Sequence, residues 1–427
     1  MSLPQLVEVS VEQGVLRGQR VPAQDELGLS YDAFRGIPYA QKPVGPLRFK
    51  APRPPESWEG ARPALDEGPI APQEDMFVKS KIVGKEDCLY LNVYTPQVPS
   101  SVASRSPEYR PGAPWPIMVW LHPGGFANGS GSATFYGPEL LVAKEVVVVT
   151  VNYRLGALGF LSLESPAATG NYGLKDIVAA LRWVNKNGTV FGGDVNQITV
   201  FGCSAGAAAV QLLQLSPSAQ GLFHRAIAQS GSSLNPWASV SNPRERALIL
   251  ARELGASENE LADDESILEF LRGQSSQAIV EATIKMNKPG EFGTGLIFMF
   301  LPTSEAGLIP ADTEDEIFLS GHPRELIKQG KVIDVPLITG VTDAEGLIAA
   351  MGGVVEETIK PVPQVFAEFD EHLEIALPPE LKKPFPDGSQ KQKEAVERIR
   401  KVYFNGGAIN EATTNNYYNV SVSKWLR

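Results

Sequence analysis

The sequence predicts an α/β fold with a mostly parallel central sheet and helices on both faces. Three observations predict it. Short runs that are apolar on both faces, Trp115 to Leu121, Val146 to Val151, Ile198 to Phe201 and Val335 to Val341, suit strands covered on both sides. Helical spacing falls between them, with Ile177, Ala180, Leu181 and Val184 at i, i+3, i+4 and i+7. A chain of 427 residues, 43% hydrophobic and 20% charged, can bury a large core around such an alternation.

In chain order, Leu89 to Tyr94 is the first strong strand signal. The segment Val98 to Pro114, rich in Ser, Pro and Arg, reads as a surface loop leading to the strand Trp115 to Leu121. Val146 to Val151 follows, then the helix around Asp176 to Val184, the strand Ile198 to Phe201 and the Ala- and Leu-rich helix Ala205 to Leu215. Val335 to Val341 is the last strand signal, and the polar stretch Pro361 to Lys393 is expected to cover a sheet edge. With no internal repeat and no long low-complexity tract, residues 1–427 read as one domain.

Lys and Arg number 38 against 49 Asp and Glu, a net charge of −11. That balance excludes a phosphate-binding surface, since Lys382-Lys383 and Arg398-Ile399-Arg400-Lys401 are short and lie among acidic residues. No apolar stretch reaches membrane-spanning length, and Met1 to Glu8 lacks the basic start and apolar run of a secretory signal. Two cysteines, Cys88 and Cys203, are too few for a disulfide framework and point to the cytoplasm. The sequons at Asn128, Asn187 and Asn419 are then chance occurrences. No His/Cys/Asp cluster has ligand spacing, so neither a metal nor an organic cofactor is expected.

The chemistry concentrates at Gly202-Cys203-Ser204-Ala205-Gly206, where a strand runs in and a helix leaves. The glycines permit a sharp turn that lifts the Ser204 hydroxyl out of the sheet end, within reach of a base. An earlier strand, Trp115 to Leu121, ends in His122-Pro123-Gly124-Gly125-Phe126. The N–H groups of Gly124, Gly125 and Ala205 could together form an oxyanion hole, in which one donor supplies on the order of 3 kcal/mol. A hydrolase of this design needs an acid and then a histidine after the serine. Asp343 and Glu345, on the loop after Val341, are both eligible as the acid. The only histidine after them, His372, stands among acidic residues, and His122, His224 and His322 precede the acid. No good catalytic base is legible.

These motifs resemble the type-B carboxylesterase and cholinesterase family. Phe34 to Ala40 with Pro43 to Phe49, Glu86 to Tyr94, Asn152 to Gly156, Phe191 to Asp194 and Phe223 to Gly231 are similar to the family's signature blocks. Phe300 to Glu305 leans towards insect intracellular esterases. The resemblance implies the α/β-hydrolase fold and cleavage of a small carboxylic ester through an acyl-enzyme. It implies Ser204 as nucleophile, Gly124, Gly125 and Ala205 as oxyanion donors, Glu345 rather than Asp343 as acid, Ser230 as a supporting serine and Trp237 as an acyl-pocket wall. Cys203 stands where the family often has Glu or Gln, and reads as packing. The family's histidine lies beyond a further strand, so the resemblance implies a chain that stops before its last strand, its last helix and its base. An impaired fragment, or a non-enzymatic adhesion or ester-binding relative, is the alternative.

Overall fold

The computed structural model describes residues 5–22, 30–76, 78, 80–99, 114–286, 299–309, 316–343, 345, 370–373 and 388–409. Its strands are β1 (Leu6–Val11), β2 (Gly14–Val21), β3 (Tyr31–Pro38), β4 (Ala61–Pro63), β5 (Gln73–Glu74), β6 (Ile82–Val83), β7 (Tyr90–Thr95), β8 (Trp115–Leu121), β9 (Val147–Val151), β10 (Gly193–Cys203), β11 (Arg225–Gln229) and β12 (Leu337–Gly340). Its helices are α1 (Glu139–Val142), α2 (Gly156–Phe160), α3 (Tyr172–Asn187), α4 (Ala205–Gln214), α5 (Pro243–Glu253), α6 (Asp264–Gly273), α7 (Ser276–Met286), α8 (Pro323–Lys328) and α9 (Gln390–Phe404).

The main sheet runs β1-β2-β3-β7-β9-β8-β10-β11-β12, with β4 beside β2. From β9 through β8, β10 and β11 to β12 all pairings are parallel, while β1 to β3, β7 and β9 pair antiparallel. The sheet is mostly parallel, as expected, with its antiparallel pairings gathered at the β1-β2-β3-β7-β9 side and its parallel half at the elbow. All five residues of β9 are buried, as a Val-rich run suits, and the Thr150 hydroxyl is satisfied by donating to the Gly131 carbonyl at 2.6 Å. Ile177, Ala180, Leu181 and Val184 of α3 are buried too, so the helical spacing marked the inward face. After β8 the chain crosses to β9 on one side and later returns to β10 on the other. The carboxyl ends of β8 and β10 therefore meet at a switch of strand order, where open sheets leave a crevice.

Buried charges fasten this scaffold, and several belong to the signature blocks. Arg48 meets Glu86 through Nε at 2.7 Å and Nη2 at 2.5 Å, and its Nη1 donates to the carbonyls of Leu271, Arg272 and Gln274 at the end of α6. Asp176 accepts from the backbone N–H, Nε and Nη2 of Arg154 at 3.1, 2.8 and 2.7 Å. Glu305 lies 2.7 Å from the Lys175 ammonium, and Asn171 exchanges two hydrogen bonds with the Thr303 backbone. The stretch Phe300 to Glu305 is therefore a clamp onto α3.

The sequons are structural positions. Asn187 is buried, accepting from Glu12 N–H at 2.8 Å, and Asn128 donates to the Glu74 carbonyl at 2.7 Å. Asn419 lies outside the described residues, as do most of Val98 to Pro114 and of Pro361 to Lys393. The last strand signal narrows to Leu337–Gly340. This strand pairs with β11 and, among the described residues, ends the sheet, with Ile338 67% exposed. No described helix is long and apolar enough to cross a membrane.

Candidate active site

Ser204 sits between β10 and α4 with φ 54° and ψ −117°, a conformation ordinary residues avoid. It is held from both sides. Its N–H donates to the Gln229 carbonyl at 2.9 Å, and its carbonyl accepts from Ala208 N–H at 2.9 Å. The register of β10 on β8 sets Gly202 opposite Leu121. A Cβ at Gly202 would stand 2.5 Å from the Gly206 carbonyl carbon, and one at Gly206 would run into the Leu121 carbonyl oxygen. The glycines of the elbow are there because strand, turn and helix pack backbone against backbone.

The loop after β8 lies beside the elbow. Gly124, Gly125 and Phe126 take φ of 127°, 64° and 60°, and the Gly124 carbonyl accepts from Ala127 and Asn128 N–H at 3.0 and 2.9 Å. A side chain at Gly124 would collide with the Asn128 carbonyl oxygen. Among the described residues, the Gly124 and Gly125 N–H groups meet no backbone acceptor. Ala205, fully buried, opens α4, whose N-terminal N–H groups favour negative charge.

His122 belongs to this loop and is no base. It is fully buried, stacked on Tyr153 with ring centroids 4.4 Å apart, and its Nδ1 is 2.8 Å from the Pro123 carbonyl. Burial pulls its pKa down to about 4, so the ring is neutral at neutral pH. His224 Nδ1 accepts from Ile198 N–H at 3.2 Å, towards the opposite end of β10 from Ser204. His322 caps α8 by accepting from Arg324 N–H at 3.3 Å. His372 is exposed, in a turn fastened to α9 through Arg400, whose Nη2 donates to the Asp370 carbonyl at 2.8 Å.

Glu345 and Ser230 come to the elbow from the sheet edge. Ser230 follows β11 with φ 55°, and its N–H donates to the Gly340 carbonyl at 2.8 Å. Glu345 is half-buried and accepts from Thr342 N–H at 2.8 Å, whereas Asp343 is exposed. Burial first, and the Glu345 charge second, push the Cys203 thiol above its ordinary pKa. A protonated, half-buried thiol is a poor nucleophile, in keeping with a packing role. Trp237 is buried further along the turn that begins at Ser230.

The sequence reading missed an aromatic group beside Cys203. Trp120 packs on Phe201 at 4.9 Å and on Tyr136 at 5.1 Å, and burial pushes the Tyr136 hydroxyl up to about 12. Trp120 and Phe201 lay within apolar runs, and only the pairing of β8 with β10 puts them side by side. Among the described residues, no group of three or more His, Cys, Asp or Glu is arranged to hold a metal ion.

Known proteins are similar to this chain. The chain is 39% identical over 324 residues to juvenile hormone esterase of Tribolium castaneum, covering 75% of this chain and 52% of that protein. It is 36% identical over 369 residues to neuroligin-3 of Mus musculus, covering 79% of this chain and 42% of that protein. It thus spans about half the length of these relatives. A crystal structure of juvenile hormone esterase from Manduca sexta, with OTFP covalently attached, superposes with a TM-score of 0.79 at 32% identity, covering 99% of this chain and 73% of that one. The carboxylesterase family model matches residues 5–424, and with the elbow, the glycine loop and the mixed sheet all in place, the chain belongs to the carboxylesterase family.

Proposed function

We propose that the protein hydrolyses carboxylic esters through an acyl-enzyme on Ser204. The observation that carries this reading is the strained, strand-to-helix placement of Ser204 beside the Gly124–Gly125 loop. The Ser204 oxygen attacks the ester carbonyl while its proton passes to a histidine. The developing oxyanion is held by the N–H groups of Gly124, Gly125 and Ala205. The histidine returns the proton to the leaving alcohol, and water then repeats the sequence to release the acid. Glu345 orients that histidine, Ser230 steadies the edge on which Glu345 stands, and Trp237 walls the acyl side. No cofactor takes part. The two free cysteines support a cytoplasmic location.

A phosphonate ester followed by mass spectrometry tests the assignment. An adduct on Ser204 is the expected outcome, and an adduct on Cys203 or another serine with Ser204 untouched refutes it. A non-enzymatic binding or adhesion role is the second reading. It is favoured by the similarity to neuroligin-3 and by the structural posts that His122, His224 and His322 occupy. Turnover of a nitrophenyl ester, lost in Ser204→Ala, separates the two.

A further inference from the structure

We infer that Gln211 is a positioning residue that fastens the turn after β11, and with it Trp237, to the helix that Ser204 opens. The consequence for acyl-group selection rests on the proposed ester hydrolysis, but the fastening itself does not.

Gln211 lies seven residues after Ser204 and four after Ala207, so the three share one face of α4. The turn runs along that face. At its start, a Cβ on Gly231 would run into the Ser204 carbonyl oxygen and stand 3.1 Å from the Ala207 Cβ. Here backbone lies directly on the helix. One helical turn further on, a polar contact takes over. Gln211 Oε1 accepts from Ser232 Oγ at 2.9 Å and from Ser233 N–H at 3.0 Å, with Ser233 Oγ a weaker third at 3.3 Å. The Ser233 N–H can only donate, so the amide is fixed with its oxygen towards the turn. Both oxygen lone pairs are then committed to two consecutive residues of one turn.

The turn is also closed on itself. Ser232 N–H donates to Asn235 Oδ1 at 2.6 Å, Leu234 N–H to Ser232 Oγ at 3.1 Å, and Ala238 N–H to the Asn235 carbonyl at 2.9 Å. It therefore moves as a unit, and Trp237 moves with it. Gln211 decides where that unit stands relative to Ser204. The acyl group of an ester attacked at Ser204 meets a wall whose distance Gln211 sets.

Two substitutions test this. Gln211→Met keeps length and apolar stem but offers no oxygen, whereas Gln211→Glu keeps an acceptor for the same donors. In hydrogen–deuterium exchange, residues 231–238 should exchange about tenfold faster in Gln211→Met, on the scale of one lost part-buried hydrogen bond. Residues 208–214 should not change, and Gln211→Glu should match the parent. Across nitrophenyl esters from acetate to octanoate, Gln211→Met should flatten the chain-length preference through KM, with kcat on the acetate kept. Should the parent hydrolyse none of them, the hydrolysis reading fails separately. The preference is then read as binding of C4 to C10 methyl ketones by Trp237 fluorescence, with Trp237→Phe as the blank. Unchanged exchange in 231–238, equal loosening in Gln211→Glu, or loosening without a change in chain-length preference would each overturn the inference.

Discussion

Glu345 and Asp343 stand two residues apart after the same strand, yet only Glu345 is turned inward, close enough for its charge to act on the Cys203 thiol. In a form that turns over esters, Glu345→Gln should lower kcat by about 10³–10⁴-fold with little change in melting, and Asp343→Asn should stay near the parent. The reverse ranking, measured on one nitrophenyl ester, would reassign the acid. His122 makes a second prediction. Its pKa falls from 6.5 to about 4 on folding because burial penalises the charged ring. The unfolded chain therefore binds the proton first as pH drops. His122 costs no stability above pH 6.5, and stability is lost progressively between pH 6.5 and 4, up to about 3 kcal/mol. In His122→Phe, which keeps the stack on Tyr153, the melting temperature should fall less steeply over that window.

Among elements, β8, β9, α3 and α4 were legible because each is a dense apolar run or a clean helical stripe that tertiary packing reinforces. β10 was half legible. Ile198 to Phe201 read as a strand, but Gly193 to Gln197 are mostly polar and include a register shift between Asp194 and Ile198. The antiparallel strands β1 to β3 went unread because their apolar residues are broken up by polar and charged ones such as Glu8, Arg17, Gln19 and Arg35, leaving no continuous apolar run. At the site, Ser204 and the glycines were legible, since backbone geometry imposes their identity locally. Gln211, Trp120 and Tyr136 were not, since their roles arise only when distant segments meet. Lys175 and Glu305 are of the same kind: a buried pair that joins α3 to the segment before α8. Lys175→Met would leave the Glu305 carboxylate buried without its cation, and should destabilise by about 3–5 kcal/mol. Lys175→Met with Glu305→Gln should recover part of that loss in chemical denaturation, and no recovery would show that the pair acts through other contacts.

At the scale of the molecule, and among the described residues, the sheet ends at β12. Leu337 and Ile338 of β12 are 41% and 67% exposed on an edge that β11 pairs from one side. Apolar edges recruit other chains. Ile338→Lys should therefore slow aggregation in light scattering while leaving the melting temperature within a degree or two of the parent. Ester turnover is a whole-molecule property too, because three of the four histidines hold structural posts far from the serine or locked beside it. Residues 1–427 should turn over nitrophenyl acetate weakly, and His372→Ala should leave that rate alone; ordinary turnover abolished by this change would make His372 the base. The backbone of Ser204 adds a last consequence. A non-glycine residue at φ 54° and ψ −117° holds about 1–3 kcal/mol of strain that glycine would not. Ser204→Gly should melt higher than the parent. A screen that rewards heat tolerance alone would then discard the serine first, so chemical competence and thermal endurance compete at this one position.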